Sequence, residues 1–287
     1  MSDIDVAIIG AGPSGIAAAI QLKRYGLDPV VFEAERIGGL LNNANLVENY
    51  PGFPDGINGA ELVKLFARQA QGWSIEIRFE QVHSLTRQNR KFLLEISAGT
   101  YRANTVVVAS GTRPIIFTDI QIPEQIKDKV FYEVFDIAGV KGKNIAIIGG
   151  GDAAFDYALN MSRHNHITII NRSSKTRALP LLLERAQANP QININLDCFL
   201  KHIRPHRSDS IELEYQEAQG EGRFVVDLLV FAVGRKPRLD FLPPGWETIG
   251  GKIDNLYFCG DVINGTCRQT AIAVGDGIRV AMGMCKL

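Results

Sequence analysis

Two glycine-rich segments are the residues of this sequence best suited to chemistry. Residues 10–15 read GAGPSG and follow the apolar run VAII, and residues 149–154 read GGGDAA and follow IAII. A strand, a tight glycine turn and a helix start bring backbone N–H groups and the positive end of a helix to a pyrophosphate. Two such segments in one chain predict two dinucleotide sites, and proteins with two dinucleotides usually move electrons between them.

The residue at the tip of the second strand in each repeat distinguishes the two ligands. Glu33 stands there in the first repeat, and Arg172 stands at the same offset in the second. A carboxylate accepts hydrogen bonds from a ribose diol and repels a 2′-phosphate, which suits FAD or NAD. Arg172, followed by Lys175 and Arg177, suits the 2′-phosphate of NADPH, because guanidinium groups match phosphate oxygens. We therefore predict FAD in the first site and NADPH in the second; the alternative interpretation of these cations is a solvated loop.

An internal repeat indicates how the elements around these turns are organised. Residues 106–114 read VVVASGTRP and residues 228–237 read LLVFAVGRKP, so each repeat ends in a buried strand followed by Gly and Pro. At 287 residues the chain has room for two domains. The fold class predicted is α/β, with two Rossmann-like dinucleotide-binding domains, the second inserted in the first. The FAD domain is predicted at 1–112 and 235–287, and the NADPH domain at 113–234.

Composition and charge exclude several other classes of protein. The 31 basic and 31 acidic residues give a formal net charge of zero, which argues against a nucleic-acid partner. No basic and apolar leader precedes the first strand, and the apolar runs are too short to span a membrane. We therefore expect a cytoplasmic protein with no membrane partner. No two of the four cysteines form a C-x-x-C pair, and the five histidines are scattered, so no metal site is predicted.

Further motifs carry a resemblance to a known family. They are GG at 38–39, ENYPGFP at 48–54, LYFCGDV at 256–262 and RQTA at 268–271. With these, nearly the whole sequence resembles the low-molecular-weight thioredoxin reductases. The resemblance implies a homodimer, Asp261 on the ribityl chain of FAD, the segment from Arg268 near the flavin ring, and Arg172 and Arg177 on the NADPH phosphate.

The motifs and the resemblance together predict two sets of cofactor-binding residues. Those for FAD are Gly10, Gly12, Pro13, Ser14, Gly15, Glu33, Gly39, Asn49, Val82, Gly111, Gly260, Asp261, Arg268, Gln269 and Thr270. Those for NADPH are Gly149, Gly151, Asp152, Ala153, Arg172, Arg177 and Arg235.

One segment departs from the family. The thioredoxin reductases have a redox C-x-x-C-Asp just before the second glycine motif, whereas residues 131–136 here read FYEVFD. Tyr132 and Phe135 occupy the cysteine positions, so disulfide exchange is not expected there. Two weak catalytic candidates follow: Asp136 is a retained proton donor or only a cap, and Cys267 is a thiol near the flavin or an unreactive small residue. Cys259 has the same two interpretations.

The electron acceptor is the least determined part of the function. The sequence from Tyr132 to Asp136 resembles the cysteine-free ferredoxin/flavodoxin–NADP reductases of this family, so the first hypothesis is electron transfer from NADPH through FAD to ferredoxin or flavodoxin. Such acidic carriers would dock on a basic patch, for which the candidates are Arg113, Lys127, Lys129, Lys141 and Lys143. The first alternative is a disulfide, thiol or small-molecule (quinone or O₂) reductase without C-x-x-C. The second is a non-enzymatic flavoprotein that senses NADPH or redox state.

Overall fold

The computed structural model describes residues 2–207, 209–246 and 253–285. Its strands are β1 (Ser2–Ile9), β2 (Pro29–Phe32), β3 (Glu76–Arg78), β4 (Val82–Gln88), β5 (Lys91–Ile96), β6 (Gly99–Val108), β7 (Thr112–Pro114), β8 (Val130–Phe131), β9 (Asn144–Ile148), β10 (His166–Ile170), β11 (Ile192–Asn195), β12 (Phe199–His206), β13 (Ser210–Glu217), β14 (Gly220–Val226), β15 (Leu228–Phe231), β16 (Arg235–Pro237) and β17 (Leu256–Phe258). Its α-helices are α1 (Pro13–Arg24), α2 (Gly59–Gly72), α3 (Asp152–Met161), α4 (Pro180–Gln187) and α5 (Thr270–Met284). In the part of the chain that the structure describes, no helix is long and apolar enough to cross a membrane.

The chain divides into two compact units. Unit 1 comprises Met1–Asn42, Val47–Arg113 and Lys236–Leu287, and unit 2 comprises Asn43–Leu46 and Pro114–Arg235. The chain passes from unit 1 to unit 2 after Arg113 and returns after Arg235. The domain limits predicted from the sequence lie one residue earlier at each of these two points.

Residues 43–46 lie within the range predicted for the first domain, but in the structure they are grouped with unit 2. The backbone N–H of Asn45 donates to Asp156 (2.9 Å), and the Asn43 amide donates to Glu133 (2.6 Å) while accepting from the N–H of Phe135 (2.8 Å). These hydrogen bonds attach the short segment to unit 2, which local sequence patterns do not reveal.

Unit 1 is built on a mixed sheet with the strand order β3-β2-β1-β6-β5-β4. Strands β3, β2, β1 and β6 run parallel, as does β17 beside β6, whereas β5 and β4 run antiparallel. The last four residues of β1 are apolar and buried, as expected for a parallel strand covered on both faces. Helix α1 follows β1 and packs against α5. The sheet therefore places the glycine turn after β1 at the carboxyl end of its parallel strands.

Unit 2 is a parallel sheet with the order β11-β10-β9-β15-β8 and a separate antiparallel sheet, β12-β13-β14. Alternate residues of β9 face opposite sides, as the two-residue period of a strand requires. Ile145 and Ile147 pack with Phe155 of α3, whereas Ala146 and Ile148 pack with the antiparallel sheet. The second glycine turn follows β9, so it also lies at the carboxyl end of a parallel sheet.

Candidate functional site

The first glycine turn joins β1 to α1 and has the shape of a pyrophosphate cradle. Gly10 has φ +109°, and a Cβ at this position would overlap the carbonyl oxygen of Ala109. A Cβ on Gly15 would overlap the carbonyl oxygen of Gly10, so only glycine lets α1 begin this close to the turn. A Cβ on Gly12 would instead project into open space. Backbone at Gly12, at the N-terminus of α1, is thus open to a ligand, which fits the phosphates of FAD.

Glu33 is fixed at the tip of β2 beside this turn. Its side chain is buried, one carboxylate oxygen accepts from the N–H of Ala11 (2.7 Å), and the other accepts from the N–H groups of Glu35 (2.8 Å) and Arg36 (3.3 Å). A carboxylate offers about four lone pairs, so acceptor capacity remains for a ribose hydroxyl. The position and chemistry of Glu33 therefore fit the ribose of FAD.

Several other predicted FAD residues lie around the turn in unit 1. Gly39 lies beside Gly12, since a Cβ on Gly39 would be 3.9 Å from the Gly12 Cα. Gly260 lies against Ser14, whose hydroxyl a Cβ on Gly260 would overlap. Asn49 donates its amide hydrogen to Gln269 (2.9 Å) at the start of α5.

The remaining predicted FAD residues are placed as follows. Pro13 is the first residue of α1, Thr270 is the first residue of α5 with Arg268 just before its N-cap, and Asp261 lies in the short 3₁₀ helix Gly260–Val262. Gly111 lies between β6 and β7, and Val82 begins β4. The Val82 side chain is part of the hydrophobic core, so only its backbone is available to a cofactor.

The second glycine turn joins β9 to α3 and repeats the backbone design. A Cβ on Gly149 (φ +153°) would overlap the carbonyl oxygen of Ala232, and a Cβ on Gly151 would meet nothing within 4 Å. Ala154 takes the place of the third glycine. The turn is thus open to a second pyrophosphate at the N-terminus of α3.

The loop after β10 presents cations next to this turn. Arg177 donates its backbone N–H to the carbonyl oxygen of Gly150 (2.6 Å) and pairs with Gly151 as an isolated bridge. Arg172, Lys175 and Arg177 are exposed, and no carboxylate of the described residues forms an ion pair with their side chains. These cations fit the 2′-phosphate of NADPH, because no described carboxylate neutralises them.

The other predicted NADPH residues have partners or no polar side chain. The Asp152 carboxylate accepts from the N–H of Leu179 (2.7 Å) at the start of α4, and Ala153 is exposed in the first turn of α3. Arg235 forms an ion pair with Glu133 (2.5 Å).

Tyr132 and Phe135, which the sequence places at the family's dithiol positions, have different surroundings in unit 2: Tyr132 is partly buried and Phe135 is exposed. The Tyr132 hydroxyl accepts from the N–H of Phe117 (3.1 Å), and the Tyr132 and Phe117 rings stack on Phe231 at 5.6 and 4.5 Å between centroids. The backbone N–H of Phe135 donates to Asn43. Neither side chain carries a thiol, and Asp136 beside them is exposed.

Sequence reasoning missed two carboxylates of unit 2. Glu133 accepts from Asn43 (2.6 Å), Arg235 (2.5 Å) and Tyr157 (3.4 Å). Burial raises the pKa of the Asp156 carboxyl to about 6, and the hydrogen bond from the Asn45 N–H acts in the opposite direction and lowers it. No signal near either residue in the sequence could have found these roles, because the partners come from separate segments.

Two of the four cysteines are buried, and two are accessible to solvent. Cys198 and Cys259 are buried, and burial raises the pKa of each thiol to about 12. Burial of Cys259 favours the interpretation as an unreactive small residue, since a thiol must ionise to react. Cys267 is exposed and Cys285 partly exposed. Cys267 and Cys285 are therefore the cysteines whose thiols are accessible to an external compound.

Two glycine turns, each followed by a helix at the carboxyl end of a parallel sheet, define a dinucleotide-binding α/β oxidoreductase. The family model of the pyridine nucleotide-disulphide oxidoreductases matches residues 4–277, and the chain belongs to this family. It is 31% identical to the thioredoxin reductase of Streptomyces coelicolor over 303 residues, covering 98% of this chain and 93% of that protein. The chain spans 64% of the bifunctional thioredoxin reductase/thioredoxin of Mycobacterium leprae, with 30% identity.

The solved structures give the same result for the fold. The thioredoxin reductase of Lactococcus lactis superposes with a TM-score of 0.89 at 26% identity, covering 99% of this chain and 98% of that one. The predicted fold class is thus confirmed. The chain is an FAD-dependent NAD(P)H oxidoreductase with FAD and NADPH as its cofactors, as the sequence predicts.

Proposed function

We propose that the chain passes electrons from NADPH through FAD to a disulfide, a thiol compound or a small molecule such as a quinone or O₂. The chain would do so without a redox dithiol of its own. Bound FAD supplies hydride acceptance and onward electron transfer. One observation carries the proposal: the two glycine turns have opposite charges at their strand tips, Glu33 and Arg172, in a chain with Tyr132 and Phe135 at the dithiol positions.

The residues divide into two binding sets. In unit 1 the backbone around Gly12 holds the FAD pyrophosphate, Glu33 holds the ribose, and Asp261 holds the ribityl chain. In unit 2 the backbone around Gly151 holds the NADPH pyrophosphate, and the cationic loop from Arg172 holds the 2′-phosphate. The open space at both glycines supports this assignment.

The comparisons favour the first alternative over ferredoxin or flavodoxin as acceptor. The relatives described above are named as thioredoxin reductases, which makes thioredoxin or another disulfide a candidate acceptor. Because no C-x-x-C occurs in the sequence, such an acceptor must meet the reduced cofactor directly or through Cys267 or Cys285.

The basic patch expected to dock an acidic carrier is largely neutralised. Four of its five cations are in ion pairs: Arg113 with Asp240 (2.5 Å), Lys127 with Glu124 (2.6 Å), Lys129 with Asp209, and Lys143 with Asp227 (3.7 Å). Lys141 alone among the five has no ion pair with a described residue. Paired surface cations attract an acidic protein weakly, so this surface lends the ferredoxin hypothesis no support.

Anaerobic stopped-flow spectroscopy of the holoprotein tests the proposal. We expect NADPH to bleach the flavin band faster than NADH, and turnover with an aromatic disulfide or a quinone to persist in the Cys267→Ser and Cys285→Ser variants. Bleaching by neither nucleotide would instead support a sensing role. Faster turnover with ferredoxin or flavodoxin than with any disulfide or quinone would restore the first hypothesis.

We also propose a homodimer, in line with the family. A groove of about 420 Å³ lies between α1, α2 and α5 of unit 1 and is lined by apolar side chains, among them Ile16, Ile20, Phe66, Trp73 and Ile278. The Trp73 ring is 41% exposed, which a second copy of the chain would cover. Sedimentation at monomer mass across micromolar concentrations, with no difference between the wild type and Trp73→Glu, would contradict the dimer.

A further inference from the structure

We infer that Asn171 is a positioning residue that holds the cationic loop against the second glycine turn and so contributes to the preference for NADPH over NADH. The inference rests on the proposed function of unit 2. Asn171 directly follows β10, precedes Arg172 and is 7% exposed.

The buried Asn171 side chain holds the first residues of the loop by hydrogen bonds to their backbone. Its amide nitrogen donates to the carbonyl oxygens of Ser173 (2.9 Å) and Lys175 (3.2 Å). Its backbone also holds the next connection, because its N–H donates to Asn195 (2.9 Å) and its carbonyl oxygen accepts from the N–H of Cys198 (3.1 Å). The carbonyl groups of the loop therefore turn inward onto one buried amide.

The other face of the same amide lies against the glycine turn. A Cβ on Gly150 would overlap the Asn171 carboxamide, so Gly150 and Asn171 are in direct contact. The carbonyl oxygen of Gly150 in turn accepts from the N–H of Arg177. The loop is thus attached to the turn at both ends, by the Asn171 side chain at its start and the Arg177 backbone at its end.

This attachment sets the cost of binding a 2′-phosphate. Arg172, Lys175 and Arg177 are long, exposed side chains, and a loop already held in place leaves less conformational freedom to lose when they close on a ligand. An asparagine suits the position because its NH₂ group offers two donors without a charge. An aspartate would repel both carbonyl oxygens and the incoming phosphate.

The chain offers a matched control for Asn171. Asn165 is another buried asparagine of unit 2, and its amide nitrogen also donates to two carbonyl oxygens, those of Val140 and Met161 (3.0 Å each). It precedes β10, whereas Asn171 follows it, so the two lie at opposite ends of that strand. Loss of the Asn165 amide removes equivalent hydrogen bonds away from the cationic loop.

Calorimetric titration of the FAD-bound protein with adenosine 2′,5′-bisphosphate and with adenosine 5′-monophosphate tests the inference. In Asn171→Ala we expect the Kd of the bisphosphate to rise about tenfold and that of the monophosphate to change within about twofold. In steady state KM for NADPH rises while kcat is kept. Asn165→Ala should lower thermal stability and leave the ratio of the two Kd values unchanged.

The outcomes separate the inference from the proposed function. A wild-type protein that binds both probes equally contradicts the NADPH site itself. A wild-type preference that survives in Asn171→Ala contradicts only the positioning role, as does an equal loss of affinity for both probes. If Asn171→Ala does not fold, Asn171→Ser, which retains one donor, is titrated instead, and an unchanged preference there contradicts the inference.

Discussion

The two glycine turns of this chain have nearly the same backbone and different neighbours. In both, the first glycine lies against the carbonyl oxygen of an alanine that directly follows a neighbouring parallel strand, Ala109 after β6 and Ala232 after β15, and the middle glycine opens to empty space. They differ at the third position, Gly15 against Ala154, and at the strand tip, Glu33 against Arg172. We therefore propose that the backbone of each turn allows a dinucleotide to bind and that the strand-tip side chain selects which one.

The third position should give the largest effect. In Gly15→Ala the new Cβ overlaps the Gly10 carbonyl oxygen, so α1 must move away from the turn, at a cost of about 3 kcal/mol. We expect the variant to purify without flavin and with a lower Tm. Ala154→Gly makes the opposite change in unit 2 and should cost about 1 kcal/mol through helix propensity and a similar amount through loss of a buried methyl group, with flavin retained. If Gly15→Ala purifies fully loaded with flavin, the two turns do not differ in their tolerance of a side chain at the third position.

The strand tip should give the next largest effect. Arg172→Glu places a carboxylate where unit 1 has Glu33, and we expect KM for NADPH to rise about a hundredfold, since a charged hydrogen bond is lost and repulsion is added. KM for NADH should change far less. Lys141→Glu is the matched control, because Lys141 is exposed and lies before β9, at the opposite end of the parallel sheet. An unchanged NADPH/NADH ratio in Arg172→Glu would place the phosphate site elsewhere.

The helices that follow the turns also differ, since α1 contains no acidic residue and α3 contains Asp156. The folded protein raises the pKa of Asp156 to about 6, so this carboxyl contributes stability at low pH that is lost as the pH rises through that value. Asp156→Asn keeps an acceptor for Asn45 without the charge. We expect it to be more stable than wild type by about 2 kcal/mol at pH 7.5 and equally stable near pH 4, as measured by urea unfolding.

The exposed Asp119 provides the control for that titration. Asp119→Asn should leave the difference in unfolding free energy between the two pH values as in wild type. Equal pH dependence of wild type and Asp156→Asn would mean that folding does not change the pKa of Asp156, and that α1 and α3 do not differ in this electrostatic respect.

The sequence could identify the site residues that belong to a continuous motif or lie at a fixed distance from one. Both glycine turns follow apolar strands directly, and Glu33 and Arg172 stand at a fixed offset from them, so a linear pattern suffices. Glu133 and Asp156 could not be found this way, because their partners Asn43 and Asn45 come from a segment about a hundred residues away. The same contacts explain why residues 43–46 are grouped with unit 2. For Asn171 the sequence offered only a weak indication of a role, namely a polar residue directly after a buried strand.

The smallest expected effect concerns Tyr132, which has no counterpart in unit 1. Tyr132→Phe removes the acceptor for the Phe117 N–H and keeps the ring stacked on Phe231, so we expect a loss of about 1 kcal/mol in unfolding free energy. The rate of flavin reduction by NADPH should stay as in wild type, because a stacked, hydrogen-bonded phenol has a structural role. A large fall in that rate with an unchanged Tm would instead assign the hydroxyl to electron or proton transfer. The difference between the units would then extend from ligand choice to the chemistry that replaced the dithiol.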